Sequence, residues 1–209
     1  MSHLFPETIE TDRLRLELAT PETVDLFAFY EICSSDPDLE EVTRYLTWDP
    51  HETPKETLEF LELVGKQYDE NEGASYLLFP RDGENGAGKI AGGCGFDVDW
   101  EKRTMTLGMW LRKRFWGQGY SGERAAAFFE LAFERLDLDL VAVTAHVDNE
   151  NSNRAIERYV EAHGGGRDGL LRNWEIHGGE PVDCYRYSVS REEWLECEPA
   201  ADVPFRDRP

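Results

Sequence analysis

A cationic, glycine-containing stretch in the middle of the chain is the segment best suited to bind an anion. It reads RKRFWGQGYSGE over residues 112–123 and precedes a run of Ala, Phe and Leu that predicts a helix. The first backbone N–H groups of a helix lack partners and carry partial positive charge. Gly117 and Gly119 permit a tight turn and let a ligand approach the backbone. The segment predicts a phosphate or pyrophosphate site, although a solvated glycine turn gives the same pattern.

The three cations at the start of this stretch stand out in an acidic chain. Arg112, Lys113 and Arg114 are consecutive, and we expect them to add local positive potential beside the glycine turn. A Walker loop is not indicated, because no Gly-Lys-Ser/Thr triplet follows the glycines. A dinucleotide site is disfavoured although the glycines match G-x-G-x-x-G, because no acidic residue is placed to bind a ribose and the unit follows an antiparallel hairpin.

A second polar cluster follows the next predicted strand. Asn149 and Asn151 follow the β-rich run LVAVTAHV, and Ser152 is the first residue of the helical run SNRAIERYVEAH. Each of these residue types can cap the N-terminus of a helix, which is the structural alternative to a chemical role. A cap accounts well for one of the three residues and poorly for all of them.

The elements that position the two clusters alternate between strand and helix patterns. Their predicted order is β-α-α-β-β-β-α-β-α-β-β, which indicates a mixed α/β (α+β) fold. The strands at 104–112 and 140–147 are joined by a helix, so they are predicted to be parallel. Thr20 and Thr53 are each predicted to cap a helix in the N-terminal half of the chain.

The charge balance limits the possible partners. The chain has 209 residues, with 43 Asp plus Glu against 22 Lys plus Arg, and a formal net charge of −21. Acidic residues are spread along the chain, which argues against nucleic acid as a partner. A halophile-like acidic surface, adapted to a cytoplasm of high salt concentration, explains this composition because salt screens self-repulsion. An ordinary acidic protein is the alternative.

Three further features of the sequence set expectations about metal binding, membranes and domain organisation. The four cysteines form no C-x-x-C pair and are too few for a disulfide scaffold, so no metal is expected. No apolar run approaches the length of a membrane span, and the N-terminus lacks a signal-like apolar core, so we expect a cytoplasmic protein that binds no membrane. One domain is predicted over residues 1–197, followed by a tail at 198–209.

The two polar clusters together resemble the GNAT acyl-CoA N-acetyltransferases. The family signature [QR]-x-x-G-x-[GA] stands here as RFWGQG at 114–119, and AHVDNENSNRAIERY resembles the fifth strand and next helix of the RimJ/RimL-like branch, the ribosomal-protein N-terminal acetyltransferases. Segments 42–61 and 169–174 also resemble that branch, and the resemblance covers about residues 8–190. It implies a GNAT fold, with a central sheet of six to seven strands, helices on both faces and a splay between strands 4 and 5.

The resemblance also implies acetyl-CoA as the acetyl donor and assigns roles to residues. The pyrophosphate would bind the turn at 114–119 and the helix that begins at Tyr120. Asn149 would contact the pantetheine or acetyl group, and Ser152 would lie near the thioester sulfur, where it could protonate the leaving thiolate. The residues implied to bind acetyl-CoA are Met109, Trp110, Leu111, Arg114, Phe115, Trp116, Gly117, Gln118, Gly119, Tyr120, Ser121, Gly122, Asn149 and Ser152.

The catalytic base cannot be carried over from the family. Many relatives have a Glu on the fourth strand where this chain has Thr106, and a Tyr acid where this chain has Ile156. The sequence offers four substitutes for the base, and an α-amine with a pKa of about 7.7–8.0 needs little help. These four substitutes are Asp97, Asp99, Glu101 and His146.

The acceptor is the least defined part of the reaction. Tyr45, Trp48 and Trp174 could line the acceptor groove, although aromatic residues are often core residues. We expect an N-acetyltransferase that moves acetyl to a primary amine, either a protein N-terminus or a small amine, by direct attack. A GNAT-like CoA-binding sensor or scaffold without catalysis is the alternative, and a homodimer is compatible with the sequence.

Overall fold

The computed structural model describes residues 3–197 and 205–206, which divide into two compact units. The first unit comprises 3–97, 109–118 and 205–206 of these residues, and the second comprises 98–108 and 119–197. The strands are β1 (Thr8–Glu10), β2 (Leu14–Leu18), β3 (Gly73–Pro80), β4 (Gly92–Asp99), β5 (Thr104–Leu111), β6 (Leu140–His146), β7 (Gly166–His177), β8 (Glu180–Ser190) and β9 (Phe205–Arg206). The α-helices are α1 (Leu26–Ser35), α2 (Leu39–Thr43), α3 (Pro54–Asp69), α4 (Tyr120–Glu130), α5 (Glu150–Glu161) and α6 (Arg191–Glu196).

The first unit is an antiparallel sheet with helices α1 and α3 packed on it. Its strands lie in the order β9-β1-β2-β3-β4. Helix α3 buries Thr57, Leu61, Val64 and Tyr68, which recur at three- to four-residue spacing and form one apolar face. Leu61 joins a buried cluster with Phe29 of α1.

Helix α1 begins at Leu26, later than the sequence prediction that placed Thr20 as its cap. Asp25 is the observed N-cap, and its carboxylate accepts hydrogen bonds from the first-turn amides of Phe27 and Ala28. The Thr20 amide instead donates to the hydroxyl of Thr23. A carboxylate that accepts two amides at a helix N-terminus is the stronger cap, so the helix starts there.

The second unit contains the predicted parallel pair of strands. Its strands lie in the order β5-β6-β8-β7, with β5 parallel to β6 and the other pairs antiparallel. The parallel ladder joins Thr104–Leu107 to Leu140–Val143. From Thr144 to His146, β6 continues beyond this ladder and stays paired with β8. The parallel ladder therefore ends at Leu107 of β5 and Val143 of β6.

The predicted α/β class is confirmed, but the described residues form nine strands rather than six to seven. The additional strands are β1 and β9, which are too short for a period-two pattern to reveal. Strand β9 lies in the predicted tail and pairs with β1, while 198–204 and 207–209 lie outside the described residues. A single domain over 1–197 stays a prediction. Over residues 3–197, no helix is long and apolar enough to cross a membrane.

Candidate active site

The turn before α4 exposes its backbone between two buried aromatic anchors. Phe115 and Tyr120 are 2% and 1% exposed, and they fix the two ends of the turn. Between them, Gly117 and Gly119 have φ angles of 75° and 80°, a left-handed conformation that glycine adopts without strain. Gly117, Gln118 and Gly119 are exposed between the anchors, and Arg13 donates a hydrogen bond to the Gln118 carbonyl at 2.9 Å.

The N-terminus of α4 is open to an anion. Gly119 is its N-cap residue and has no side chain to cap the first-turn amides. A Cβ atom placed on Gly117 would meet no atom within 4 Å, so a ligand can approach the backbone there. The backbone amides and the partial positive charge at a helix N-terminus favour a phosphate group. The residues present therefore fit the pyrophosphate of the expected donor.

The three cations of this segment have different roles, which corrects the expectation that all three supply local potential. Arg112 forms an ion pair with Asp36, and the two side chains are only 13% and 8% exposed. The ammonium of Lys113 lies 2.8 Å from Glu41 and 3.1 Å from Asp38, and these hydrogen bonds raise the pKa of Lys113. Carboxylates thus neutralise two of the three cations.

Arg114 is the cation that remains exposed. Its guanidinium carbon lies 4.8 Å from the centre of the Phe115 ring, so a cation–π contact orients it. Among the described residues, no carboxylate forms an ion pair with Arg114. Its charge is therefore available to a ligand at the turn.

Strand β5 ends with three of the residues predicted to bind acetyl-CoA. Met109, Trp110 and Leu111 are half-buried, and the Trp116 indole N–H donates to the Leu111 carbonyl at 2.8 Å. The Trp110 ring lies 5.4 Å from the ring of Trp48, edge to face. The structure thus brings a residue predicted for the donor together with one predicted for the acceptor.

Tyr45 and Trp174, the other two residues predicted to line the acceptor groove, differ in their exposure to solvent. Tyr45 is half-buried in the first unit. Trp174 belongs to β7 in the second unit and is 55% exposed. Its exposure excludes a core position for Trp174.

Asn149 is the N-cap of α5. Helix capping is the structural role that the sequence left open as an alternative to a chemical role. Its side-chain oxygen accepts the amide of Ser152 at 3.1 Å. The half-buried Ser152 hydroxyl has no hydrogen-bond partner among residues 3–197. The cap occupies the Asn149 oxygen and leaves its N–H donors for another role.

Asn153 is a structural residue of this corner that sequence reasoning missed. Its amide nitrogen donates to the carbonyls of His146 and Asn149, each at 2.9 Å. Its oxygen accepts the Tyr187 hydroxyl at 3.1 Å. These bonds fix the end of β6 to the start of α5, and with it the positions of Asn149 and Ser152. Only its place beside Asn149 and Ser152 hinted at this role.

The predicted base candidates on β4 lie near its hairpin end. Asp97 is five residues along β4 from Gly92, so about 16 Å separates the Cα atoms of these two residues. Gly92 lies beside the Trp110 carbonyl, so Asp97 is far from this part of the predicted acetyl-CoA site. Burial, followed by the charge of Glu72, raises the pKa of Asp97. Asp99 forms an ion pair with Lys102, whose hydrogen bond lowers the pKa of Asp99, and Glu101 is exposed in the hairpin turn.

His146, the remaining candidate base, already uses one of its two ring nitrogens in a hydrogen bond. Its Nδ1 atom accepts the backbone amide of Asp148 at 3.1 Å. Its side chain is 14% exposed, and its ring lies 6.2 Å from the ring of His177. The Nδ1 lone pair is therefore not free to take a proton.

Glu175 on β7 is a carboxylate that the sequence analysis did not select. It is half-buried and accepts the Thr144 hydroxyl at 3.0 Å. Thr144 is the first residue of β6 beyond the parallel ladder. Burial, followed by the charge of Glu175, raises the pKa of the nearby Cys184 thiol to about 11. No local pattern distinguishes Glu175, because pairing of β7 with β8 and β8 with β6 brings it to this place.

A match to a known protein family shows which family this chain belongs to. The profile described as Acetyltransferase (GNAT) domain matches residues 13–159, more than half of the chain. The chain belongs to the GNAT acetyltransferase family. The predicted family and enzyme class are thereby confirmed.

Similar GNAT proteins cover nearly the whole chain. The uncharacterized N-acetyltransferase p20 of Bacillus licheniformis is 25% identical over 189 residues, 90% of this chain and 98% of p20. RimL, a ribosomal L7/L12 alpha-N-protein acetyltransferase solved with coenzyme A, superposes with a TM-score of 0.72 at 20% identity, covering 88% of this chain and 98% of RimL. The microcin C7 self-immunity acetyltransferase MccE, solved with acetyl-CoA and AMP, gives 0.74 at 19% identity, covering 90% and 98%. The two structures show the same fold, and RimL represents the predicted branch.

Proposed function

We propose that this GNAT protein transfers acetyl from acetyl-CoA to a primary amine, either a protein N-terminus or a small amine, by direct attack. The observation that carries the proposal is the N-terminus of α4 directly after the exposed turn at Gly117 and Gly119, where the N-cap Gly119 has no side chain to block a ligand. Acetyl-CoA and coenzyme A in the solved structures of MccE and RimL support the choice of donor.

The donor is held through its phosphates and its pantetheine arm. The backbone N–H groups of 117–122 bind the pyrophosphate, and Arg114 adds the positive charge that the paired cations cannot. The pantetheine follows β5 at Met109–Leu111. Asn149 uses its side-chain N–H to bind the pantetheine or acetyl group, since its oxygen is occupied by the helix cap.

Glu175 is the side chain best placed to accept the proton of the amine. It is half-buried, and the Thr144 hydroxyl orients it at the point where β6 leaves the parallel ladder. The amine nitrogen attacks the thioester carbonyl carbon, the C–N bond forms, and the C–S bond breaks. The amine proton passes to Glu175, directly or through water. The Ser152 hydroxyl donates a hydrogen bond to the leaving thiolate of CoA, which then takes its proton from water.

Release of thiol from acetyl-CoA tests this proposal. The protein is assayed with peptides that carry free or blocked N-termini and with small primary amines, and the products are identified by mass spectrometry. We expect turnover with at least one class of free amine and a mass increase of one acetyl group. Tight binding of CoA without turnover across the panel would replace the enzyme reading with the sensor or scaffold.

A pair of glycine variants tests the pyrophosphate site separately. Gly117→Glu places a carboxylate where the phosphate binds, and Gly83→Glu is its matched control. Both glycines have positive φ, and neither would place a Cβ within 4 Å of another atom. We expect Gly117→Glu to abolish CoA binding while Gly83→Glu retains it and both variants stay folded. Equal affinity in the two variants would sink the assignment.

A further inference from the structure

Arg13 lies in the short connection between β1 and β2 and reaches the turn before α4 from a distant part of the chain. It is half-buried, and its guanidinium donates a hydrogen bond to the Gln118 carbonyl at 2.9 Å, across 105 residues of sequence. Both residues belong to the first unit. A side chain from the β1–β2 connection therefore holds the backbone of the turn that follows β5.

The backbone that carries Arg13 is itself fixed by hydrogen bonds. The buried Thr11 donates its amide to the Leu14 carbonyl at 2.9 Å, and its hydroxyl accepts the Leu14 amide at 3.0 Å. The Arg13 carbonyl accepts the Arg81 amide at 2.8 Å, and the Arg81 guanidinium donates to the Thr11 carbonyl at 2.6 Å. The connection is closed by these bonds, so the Arg13 side chain starts from a defined position.

The peptide group between Gln118 and Gly119 needs such a restraint. Its rotation changes ψ of Gln118 and φ of Gly119, and glycine populates positive and negative φ about equally well. Because the peptide is planar and trans, its C=O and N–H groups point in opposite directions. The hydrogen bond from Arg13 to the Gln118 carbonyl thus selects one orientation, in which the Gly119 N–H points away from Arg13.

The Gly119 N–H is available to a ligand in this orientation. Among residues 3–197, no group accepts a hydrogen bond from it. Gly119 is the N-cap of α4, so this group is the first of the four N–H groups that a helix start leaves without a partner. At the other end of the turn, the Phe115 ring packs on Gly86, where a Cβ atom would lie 2.7 Å from Cε1 of the ring. Phe115 and Arg13 together fix the turn from both ends.

We propose that Arg13 is a positioning residue for the pyrophosphate of acetyl-CoA, because its hydrogen bond to Gln118 presents the Gly119 N–H to the phosphate oxygens. The inference rests on the proposed function and adds to it a residue far from the turn in sequence. A donor that is already oriented binds its ligand without the free-energy cost of ordering. Arg13 acts through the turn, so its loss should weaken donor binding and leave the chemical step unchanged.

Two acetyl donors test this role in the variant Arg13→Met. We expect its KM for acetyl-CoA to rise about tenfold, with kcat unchanged, because one hydrogen bond from a charged group is lost. Acetyl-pantetheine lacks the pyrophosphate, so its kcat/KM should be the same in the variant and in the wild-type protein. Equal losses with both donors would show that Arg13 only supports the fold, and would overturn the proposal.

Arg15→Met is the matched control. Arg15 lies on β2 and forms a surface ion pair with Glu17 at 3.0 Å, so its removal changes the net charge equally and should leave the KM for acetyl-CoA unchanged. Arg13→Lys can still donate to the carbonyl and should recover part of the affinity. The loss in Arg13→Met should persist at high salt, whereas a loss that vanishes there would assign Arg13 to direct contact with phosphate instead.

Amide NMR signals of residues 117–119 in the ligand-free protein give a readout that does not depend on turnover. We expect single sharp signals in the wild-type protein and in Arg15→Met, and shifted, exchange-broadened signals in Arg13→Met, where the peptide samples both orientations. Unchanged signals in Arg13→Met, with normal binding of CoA to the wild-type protein, would refute the role of Arg13 alone. Failure of the wild-type protein to bind CoA would refute the proposed function and with it the role of Arg13.

Discussion

Arg112 and Asp36 form an ion pair that is shielded from solvent and joins the turn before α4 to the segment after α1. The guanidinium also donates to the Ile90 carbonyl at 3.0 Å. Lys113 makes similar but more exposed contacts with Asp38 and Glu41. These pairs make the cationic turn part of the fold, in addition to its proposed role as a ligand site.

Removal of Arg112 should destabilise the protein strongly. Arg112→Met leaves Asp36 buried without its partner, so the free energy of unfolding should fall by about 2–4 kcal/mol. Lys113→Met breaks a solvent-exposed pair, which water and salt screen, so it should cost much less. Urea denaturation of both variants measures this, and the double variant Arg112→Met, Asp36→Asn should recover part of the loss. Similar losses for the two single variants would contradict the distinction.

Binding of coenzyme A should depend on Arg114 and not on its neighbour. Arg114→Gln removes an exposed, unpaired cation, and we expect the Kd of CoA to rise about tenfold. Lys113→Gln is the matched control, because its charge is already neutralised by carboxylates. Calorimetric titrations at two salt concentrations measure the effect, which should shrink at high salt. A larger loss in Lys113→Gln would reverse the assignment.

Two substitutions at Asn149 separate capping from chemistry. Asn149→Ala should lower stability by about 1 kcal/mol because α5 loses its cap. Asn149→Asp keeps an oxygen that accepts the Ser152 amide, so it should keep the stability. It loses the side-chain N–H, so kcat should fall if this donor binds the pantetheine or acetyl group. Full activity in Asn149→Asp would leave Asn149 as a cap alone.

Acetyl transfer should require the Glu175 carboxylate. Glu175→Gln keeps the shape of the side chain but cannot accept the proton, and we expect kcat to fall by about 10²–10⁴-fold with the KM for acetyl-CoA unchanged. Thr144→Val removes only the orienting hydrogen bond and should reduce kcat by less. Asp97→Asn is the control from the alternative set of bases and should keep near-normal kcat. The opposite ranking of these variants would transfer the role to Asp97.

Stability should fall as pH rises above the ordinary pKa of a thiol. Burial raises the pKa of Cys33 to about 12 and that of Cys184 to about 11, from 9.0. Above pH 9 the unfolded chain releases these protons while the folded chain keeps them, so each thiol should reduce stability by about 1.4 kcal/mol per pH unit. Denaturation between pH 8 and about 10.5 measures the slope. Cys33→Ala should flatten it, and an unchanged slope in that variant would exclude this origin.

The sequence indicated the proposed donor half of the site because adjacent residues form it. A tight turn at Gly117 and Gly119 and a helix that begins at Tyr120 were predicted from a few adjacent residues. The structure has both, with positive φ angles at the two glycines. The parallel pairing of β5 and β6 also followed, since a single helix joins the two strands. Thr20 was wrong as a helix cap because a better cap, Asp25, lies only one turn further along.

Only the tertiary structure decided which charged side chains remain available to bind a ligand. Arg112 and Asp36 are 76 residues apart in the chain, and Thr144 and Glu175 are 31 apart. Residue type gave each of them a charge or a hydrogen-bonding group, but only packing assigned its partner. The sequence by itself therefore determined the family, the turn and the helix N-terminus that suit a phosphate. Only the fold determined that carboxylates neutralise two of the three cations. Only the fold also placed the Glu175 carboxylate of β7 beside the first residue of β6 beyond the parallel ladder. The physical reason is that pairing between distant segments sets which polar groups are buried away from water.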